Sequence, residues 1–319
     1  MDLFDRKLLT ALQSNFPLTT RPFQSLARML KTDEKDVLDR IALLKKQGII
    51  RQISAIFDSK AIGYQSTLLA FKVPAKNLMK VAALISAHMG VSHNYERSGK
   101  YNLWFTLTLP SGKDLKAESQ KLAMASDVVD WLYLPALRTF KISFQLDFTG
   151  KVGAVKAAPI LSIGSAINVP QNFIRELQKD LPVASRPYKL FAEALKTTES
   201  DIVARIKKYA AAGAIRRVAA VVRQKKAGFP ANVMVAWAPR EELKTALAEC
   251  AVRQQKISHC YERPSSRKWP YSMYTMIHGK SMDECTQVIK QISAQSGVKK
   301  YSLLPTIWEF KKVRVQYYL

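Results

Sequence analysis

Apolar residues along this chain fall first into helical stripes and then into strand-like runs, and the whole order occurs twice. Leu3, Leu8, Leu9 and Leu12 give an opening helix one apolar face. Phe23 to Leu30 predicts a second helix, with Pro22 of the Arg21-Pro22 pair at its start, where the missing N–H costs nothing. Thr32-Asp33-Glu34-Lys35 supplies an N-cap and an acidic first turn for a third. Val37, Ile41 and Leu44 stand at core spacing along it, and Gly48 ends it. Ile49 to Asp58 alternates as a strand and Gly63 closes a turn. Three helices and a two-stranded wing make a winged helix-turn-helix, repeated from Phe173 to Arg223.

The remainder of each unit reads β-α-β-β-α-β, the ferredoxin-like order. In the first unit Ser66–Val73 is a strand, Lys76–Ala87 a helix, and Val91–Ser98 and Asn102–Pro110 are paired strands. Asp114–Ala125 is a helix and Val128–Tyr133 a closing strand. The expected class is therefore α+β, with two tandem units, each a winged helix-turn-helix followed by a ferredoxin-like domain.

The duplication can be followed residue by residue. Arg21-Pro22, Gly48, Gly63 and Pro74 match Arg186-Pro187, Gly213, Gly228 and Pro239 at an offset of 165. His93 matches His259 at 166, and Leu134-Pro135 and Phe140-Lys141 match Leu304-Pro305 and Phe310-Lys311 at 170. The first unit is read as 1–148, divided near residue 60, and the second as 168–319, divided near 225. Between them, 149–167 has the Ala, Gly, Ser and Val composition of a semi-flexible linker.

Composition narrows the class. The 319 residues are 48% hydrophobic, enough for two cores, and no apolar run approaches the roughly 18 residues of a membrane span. The opening Met1-Asp2-Leu3-Phe4-Asp5 lacks the order of a signal peptide. Three cysteines, Cys250, Cys260 and Cys285, offer neither a disulfide framework nor paired metal-ligand spacing. A cytoplasmic protein with reduced thiols is expected. Its net charge of +25 calls for a polyanionic partner: nucleic acid, an anionic membrane surface, or a ligand rich in carboxylates or phosphates.

The most informative repeat is Ser92-His93-Asn94-Tyr95-Glu96-Arg97, which returns as Ser258-His259-Cys260-Tyr261-Glu262-Arg263. On a strand, alternation puts His93, Tyr95 and Arg97 on one face, and likewise His259, Tyr261 and Arg263. Burying those three side chains purely for packing would leave many polar atoms to satisfy. An acid or base, a hydroxyl and a carboxylate-binding fork on one face suit an anionic substrate. The aromatic runs that follow contain Trp104 and Tyr274; they read equally as core or as flat walls for a planar ring.

Two resemblances emerge. Winged helix plus ferredoxin-like domain, with Val37-x-x-Arg40-Ile41, Gly48-Ile49-Ile50 and Gly63-Tyr64, resembles the Lrp/AsnC transcription regulators. Yet the third helix opens on Asp33, Glu34 and Asp36, with Asp39 one turn on, and its copy carries Glu199 and Asp201. Those carboxylates would face a phosphate backbone where Arg, Lys, Asn or Gln should stand, so specific nucleic-acid binding is not expected, and a DNA-binding regulator is the alternative reading.

His93-Asn94-Tyr95-Glu96-Arg97 with Tyr101-Asn102-Leu103-Trp104-Phe105 resembles one subunit type of siroheme decarboxylase. Ser258-His259-Cys260-Tyr261 with Trp269-Pro270-Tyr271 and Tyr274-Thr275-Met276-Ile277-His278-Gly279 resembles the partner type. The Leu-Pro and Phe-Lys pairs fit the same group, although the first unit has Ala136 where the second has Thr306. The resemblance implies removal of the acetate carboxylates on rings C and D of siroheme, giving didecarboxysiroheme on the way to heme d1 or heme. It implies no cofactor and no protein-held metal beyond the iron of the substrate, no membrane partner, and halves paired as a pseudo-heterodimer, with a higher homo-oligomer open. His93 and His259 would then donate protons, either one being also able to ligate the iron. Tyr95, Arg97, Tyr261, Arg263, Trp104 and Tyr274 would hold the substrate, and Arg21 and Arg186 would anchor propionates.

Overall fold

A computed structural model describes residues 1–14, 16–142 and 167–318; the expected linker at 149–167 lies almost wholly outside them. The three helices of the first unit are α1 (Leu3–Ser14), α2 (Pro22–Leu30) and α3 (Glu34–Lys46). Leu8, Leu9, Leu12, Val37, Ile41 and Leu44 are buried as the spacing requires, whereas Leu3 is 64% exposed and contributes no core. Gly48 takes φ +69°, the left-handed conformation that stops α3.

The wing departs from expectation. Each unit supplies one strand, β1 (Ile50–Phe57), and the two strands pair with each other: β1 runs antiparallel to its counterpart in the second unit, Ile215–Val222, from Ile50 opposite Val222 to Phe57 opposite Ile215. A single wing strand has unpaired N–H and C=O groups along its edge, and the other copy satisfies them. The two helix-turn-helix regions consequently share one core, from Leu8, Phe23 and Ile41 to Phe173, Ile202 and Ile206.

The ferredoxin-like parts are built from β2 (Tyr64–Phe71), α4 (Leu78–Ala87), β3 (Val91–Arg97), β4 (Leu103–Pro110), α5 (Leu115–Ala125) and β5 (Trp131–Pro135), followed by β6 (Arg138–Ile142), a strand beyond those expected. The second unit has α6 (Gln171–Leu177), α7 (Lys189–Ala194), α8 (Glu199–Ala211), β7 (Ile215–Val222), β8 (Ala231–Trp237), α9 (Lys244–Arg253), β9 (Ile257–Glu262), β10 (Met273–Gly279), α10 (Met282–Ser296) and β11 (Tyr301–Lys312). The strands run β5-β2-β4-β3-β11-β8-β10-β9-β6. β6 leaves its own unit to pair with β9, and the second part of β11 leaves its own to pair with β3. β5 and β6, the ends of that order, are separated in the chain only by Ala136 and Leu137, so the sheet wraps around.

Each helical layer covers the outer face of one half-sheet. Between the two inner faces lies an apolar cluster drawn from both units, including Leu134, Trp104, Met234, Trp269, Tyr274 and Leu304. Residues beyond β11 return to the helix-turn-helix core: Tyr317 is buried there, and the Tyr318 hydroxyl donates to the Ile62 carbonyl at 2.6 Å. No helix among the described residues is long and apolar enough to cross a membrane.

Candidate functional site

Alternation along β3 fixes the orientation of the repeated motif. Asn94 turns toward α4, its Nδ2 donating to the Ala82 carbonyl and to Ser86 Oγ, both at 3.0 Å. His93, Tyr95 and Arg97 therefore take the inner face. The His93 and Tyr95 rings lie 6.1 Å apart, and the Arg97 guanidinium sits 5.1 Å from the Tyr95 ring centre. On β9, Cys260 belongs to the outer core, leaving His259, Tyr261 and Arg263 on the inner face. There the rings are 5.8 Å apart and the guanidinium is 4.8 Å from Tyr261. Two equivalent ladders thus line the space between the half-sheets.

The ladders are stitched to the opposite unit. Arg97 Nη1 donates to the Leu304 carbonyl at 2.8 Å and to Thr306 Oγ1 at 3.0 Å, and Arg263 Nη1 donates to the Leu134 carbonyl. The repeated Leu-Pro pairs are thus the acceptors of the repeated arginines. Each arginine keeps a buried Nε with no hydrogen-bond partner among the described residues. Lys311 donates to the carbonyls of Ser86 and His88, and Lys141 to those of Val252 and Gln254, so the Phe-Lys pairs lock each arm onto the other unit's helix end.

Burial sets the electrostatics. His93 is pushed down to about 3, first by desolvation and then by the charges of Lys312 and His259. His259 falls to about 4 and His278 to about 3, again chiefly by desolvation. The hydroxyls of Tyr95 and Tyr261 are pushed up by burial, and Arg97 comes down to about 10 for the same reason. All three imidazoles are therefore neutral near pH 7.

Their hydrogen bonds run through serines. Ser92 Oγ lies 2.9 Å from His93 Nδ1, and Ser258 Oγ lies 2.7 Å from His259 Nδ1. Among the described residues, only the second unit extends the chain: Ser258 Oγ is also 2.8 Å from Nε2 of His278. One hydroxyl carries one proton, so it can donate to one ring while accepting from the other. The serine preceding each histidine was visible in the repeat as a signal, but its role depends on the neighbouring strand.

The other expected site residues lie elsewhere or are committed. Trp104 and Tyr274 occupy equivalent places opposite Tyr95 and Tyr261, but both are core: Trp104 Nε1 donates to the Tyr101 carbonyl at 2.7 Å, and Tyr274 accepts from Trp269 Nε1 at 2.6 Å. Arg21 and Arg186 are not brought to the ladders. Arg21 pairs with Glu34 at 2.8 Å and Arg186 with Glu199, each joining the start of one helix to the start of the next. Instead the wing strands deliver basic residues that lie outside the repeated motif: Arg51, whose charge acts on His93, and Arg216, whose charge acts on His259 and Tyr261. A cleft of about 450 Å³ against α3, lined by Phe4, Thr32, Asp36, Asp39, Arg40 and Leu43, presents two carboxylates and suits no polyanion.

Comparison with known proteins agrees with this architecture. The profile of the AsnC-like ligand binding domain matches residues 61–141 and 226–311, and that of the siroheme decarboxylase NirDL-like HTH domain matches 5–51 and 171–216. A siroheme decarboxylase of Hydrogenobacter thermophilus is 33% identical over 98% of this chain and 94% of its own length. The siroheme decarboxylase alpha and beta subunits of Desulfovibrio desulfuricans are 43% and 36% identical, each over 46% of this chain and over 86% and 94% of their own lengths. The crystal structure of the siroheme decarboxylase NirDL in complex with an iron-uroporphyrin III analogue superimposes with a TM-score of 0.73 at 31% identity, covering 99% of this chain and 95% of that one.

Proposed function

We propose, because this chain belongs to the siroheme decarboxylase family and is therefore a carboxy-lyase, that it removes the acetate carboxylates on rings C and D of siroheme to give didecarboxysiroheme. The observation that carries this reading is the pair of His-Tyr-Arg ladders facing one interior between the half-sheets. The solved relative's complex with an iron-uroporphyrin III analogue supports a tetrapyrrole as the ligand.

In each decarboxylation the bond between methylene and carboxylate breaks and carbon dioxide leaves. The electron pair passes into the pyrrole ring, and one proton converts the methylene to methyl. The chain must therefore supply a proton per acetate. His93 and His259, with pKa values pushed down by burial, are neutral near pH 7. A nearby polycarboxylate would oppose that depression, because a negative charge favours the protonated ring. The substrate would thus charge its own donors, with Ser92 and Ser258 holding each Nδ1 so that Nε2 is left to face the substrate. Tyr95 and Tyr261 would act as hydroxyl donors and the remaining N–H groups of Arg97 and Arg263 as carboxylate contacts. No cofactor besides the substrate's iron, no specific nucleic acid and no membrane partner enter the reading.

The test is anaerobic incubation with siroheme followed by mass spectrometry of the product. Loss of both carboxyl groups supports the activity, and binding without mass change rejects it in favour of a sensor. Full turnover by both His93→Ala and His259→Ala would overturn the proton-donor roles.

A further inference from the structure

We infer that Arg51 and Lys312, with Arg223 beside them, receive substrate carboxylates on the His93 side in addition to the Arg97 and Arg263 contacts, and that Arg216, the counterpart of Arg51 on the His259 side, receives none. This rests on the tetrapyrrole reading above and adds which wing arginine of the duplicated structure binds the anion.

Pseudo-symmetry provides the internal control. At the second ladder the backbone N–H of Asp58 donates to the Ala214 carbonyl at 2.9 Å, and its carboxylate accepts from Arg216 at 2.8 and 3.1 Å. At the first ladder the matching bond joins the N–H of Arg223 to the Ile49 carbonyl, also at 2.9 Å. Arg51 corresponds to Arg216 and Arg223 to Asp58, both at the 165 offset. A carboxylate that neutralises the wing arginine in one copy is thus replaced by a second guanidinium in the other, and the two cations repel.

The arm strands deepen the difference. Lys312 stands opposite His93 in the β11–β3 register, where the second copy has Ile142 opposite His259. Lys312 Nζ reaches Gln224 Oε1 at 2.6 Å, beside Arg223, and Glu309, its partner in an ion pair, lies 3.7 Å away. Arg51, Lys312 and Glu309 therefore act on His93 and Tyr95, and Arg223 stands beside Arg51. Over His259 and Tyr261 the wing arginine is already matched by Asp58, and Thr139 takes the place of Glu309 opposite the tyrosine. The cations common to both copies, Arg97 with Arg263 and Lys141 with Lys311, are engaged by carbonyls and do not distinguish the sides. One carboxylate leaves these cations with an excess of positive charge, which a bound polycarboxylate would neutralise.

Siroheme binding to the full chain, titrated by its visible absorbance, tests this with Arg51→Gln, Arg223→Gln, Lys312→Gln and Arg216→Gln. Each of the first three is expected to raise Kd about tenfold, the order of one charge-assisted contact. Arg216→Gln should stay within about twofold, since its charge is spent on Asp58. Arg51→Lys, which keeps the charge, should recover most of the affinity and separates binding from folding. If Arg216→Gln weakens binding as much as Arg51→Gln, or Arg51→Gln and Arg223→Gln bind like wild type, the assignment is overturned while the tetrapyrrole reading stands. If wild-type protein itself shows no spectral change with siroheme, both fall.

Discussion

Arg97, on the first unit's inner strand, ends 2.8 Å from the carbonyl of Leu304 in the second. Its side chain is both part of a ladder and a bolt between units, and Arg263 mirrors it on Leu134. Arg97→Met would leave the Leu304 carbonyl buried with its donor lost, a loss of about 2–3 kcal/mol for a charged-group hydrogen bond. Urea unfolding should show that loss for Arg97→Met and for Arg263→Met, and a much smaller one for the exposed Arg21→Met.

Three buried imidazoles make stability depend on acid. His93, His259 and His278 titrate at about 3, 4 and 3 in the folded chain, all below the ordinary 6.5. The unfolded chain thus binds more protons than the folded one between those values and 6.5. Stability should be full above pH 6.5 and fall as the pH drops through 6 toward 4. Thermal melts at pH 7.5 and 5 should differ, and the difference should shrink in His93→Asn.

Ligand binding should reverse the same shift. If carboxylates raise the depressed histidines, siroheme binding takes up protons near neutral pH, and affinity rises as the pH falls from 8 to 6. Calorimetry in two buffers of different ionisation enthalpy measures that uptake. It should drop in His93→Ala, and an absence of uptake in wild type would count against the proton-donor mechanism.

Ser258 bridges His259 and His278, whereas Ser92 holds His93 alone. Ser258→Ala should lower kcat about tenfold with KM nearly unchanged, a fraction of the roughly 10²–10⁴ that a positioned proton donor supplies. Ser92→Ala should cost less. Equal effects, measured with siroheme under anaerobic conditions, would mean that the extension to His278 carries no proton.

Much of this was legible in the sequence because it depends on local periodicity. The helix starting at Pro22, the one ending at Gly48, and the common face of His93, Tyr95 and Arg97 follow from spacing alone. What could not be read was pairing across the duplication. Nothing in Ile50–Phe57 says that its partner is Ile215–Val222 rather than a second wing strand, and nothing in Arg138–Ile142 says that it leaves home for β9. The partners of Arg21 and Arg186 were hidden for the same reason: a repeated Arg-Pro pair shows that a residue is kept in both copies, but not that it pairs with Glu34 or Glu199 thirteen positions on. Trp104 and Tyr274 were ambiguous until the second half-sheet lay over them.

The crossing arms also bear on how such a chain is made. β3 finds its outer neighbour only in residues 306–312, and β11 leaves the ribosome after every other strand described above. Throughout synthesis of the second unit, the edge that carries His93 stays open to any passing strand. The first unit cannot complete its sheet as it emerges, and its final registration waits for contacts more than two hundred residues distant, a topology that slows folding. Joining both units in one polypeptide keeps the correct strand tethered nearby during that interval, at an effective concentration no separate subunit matches.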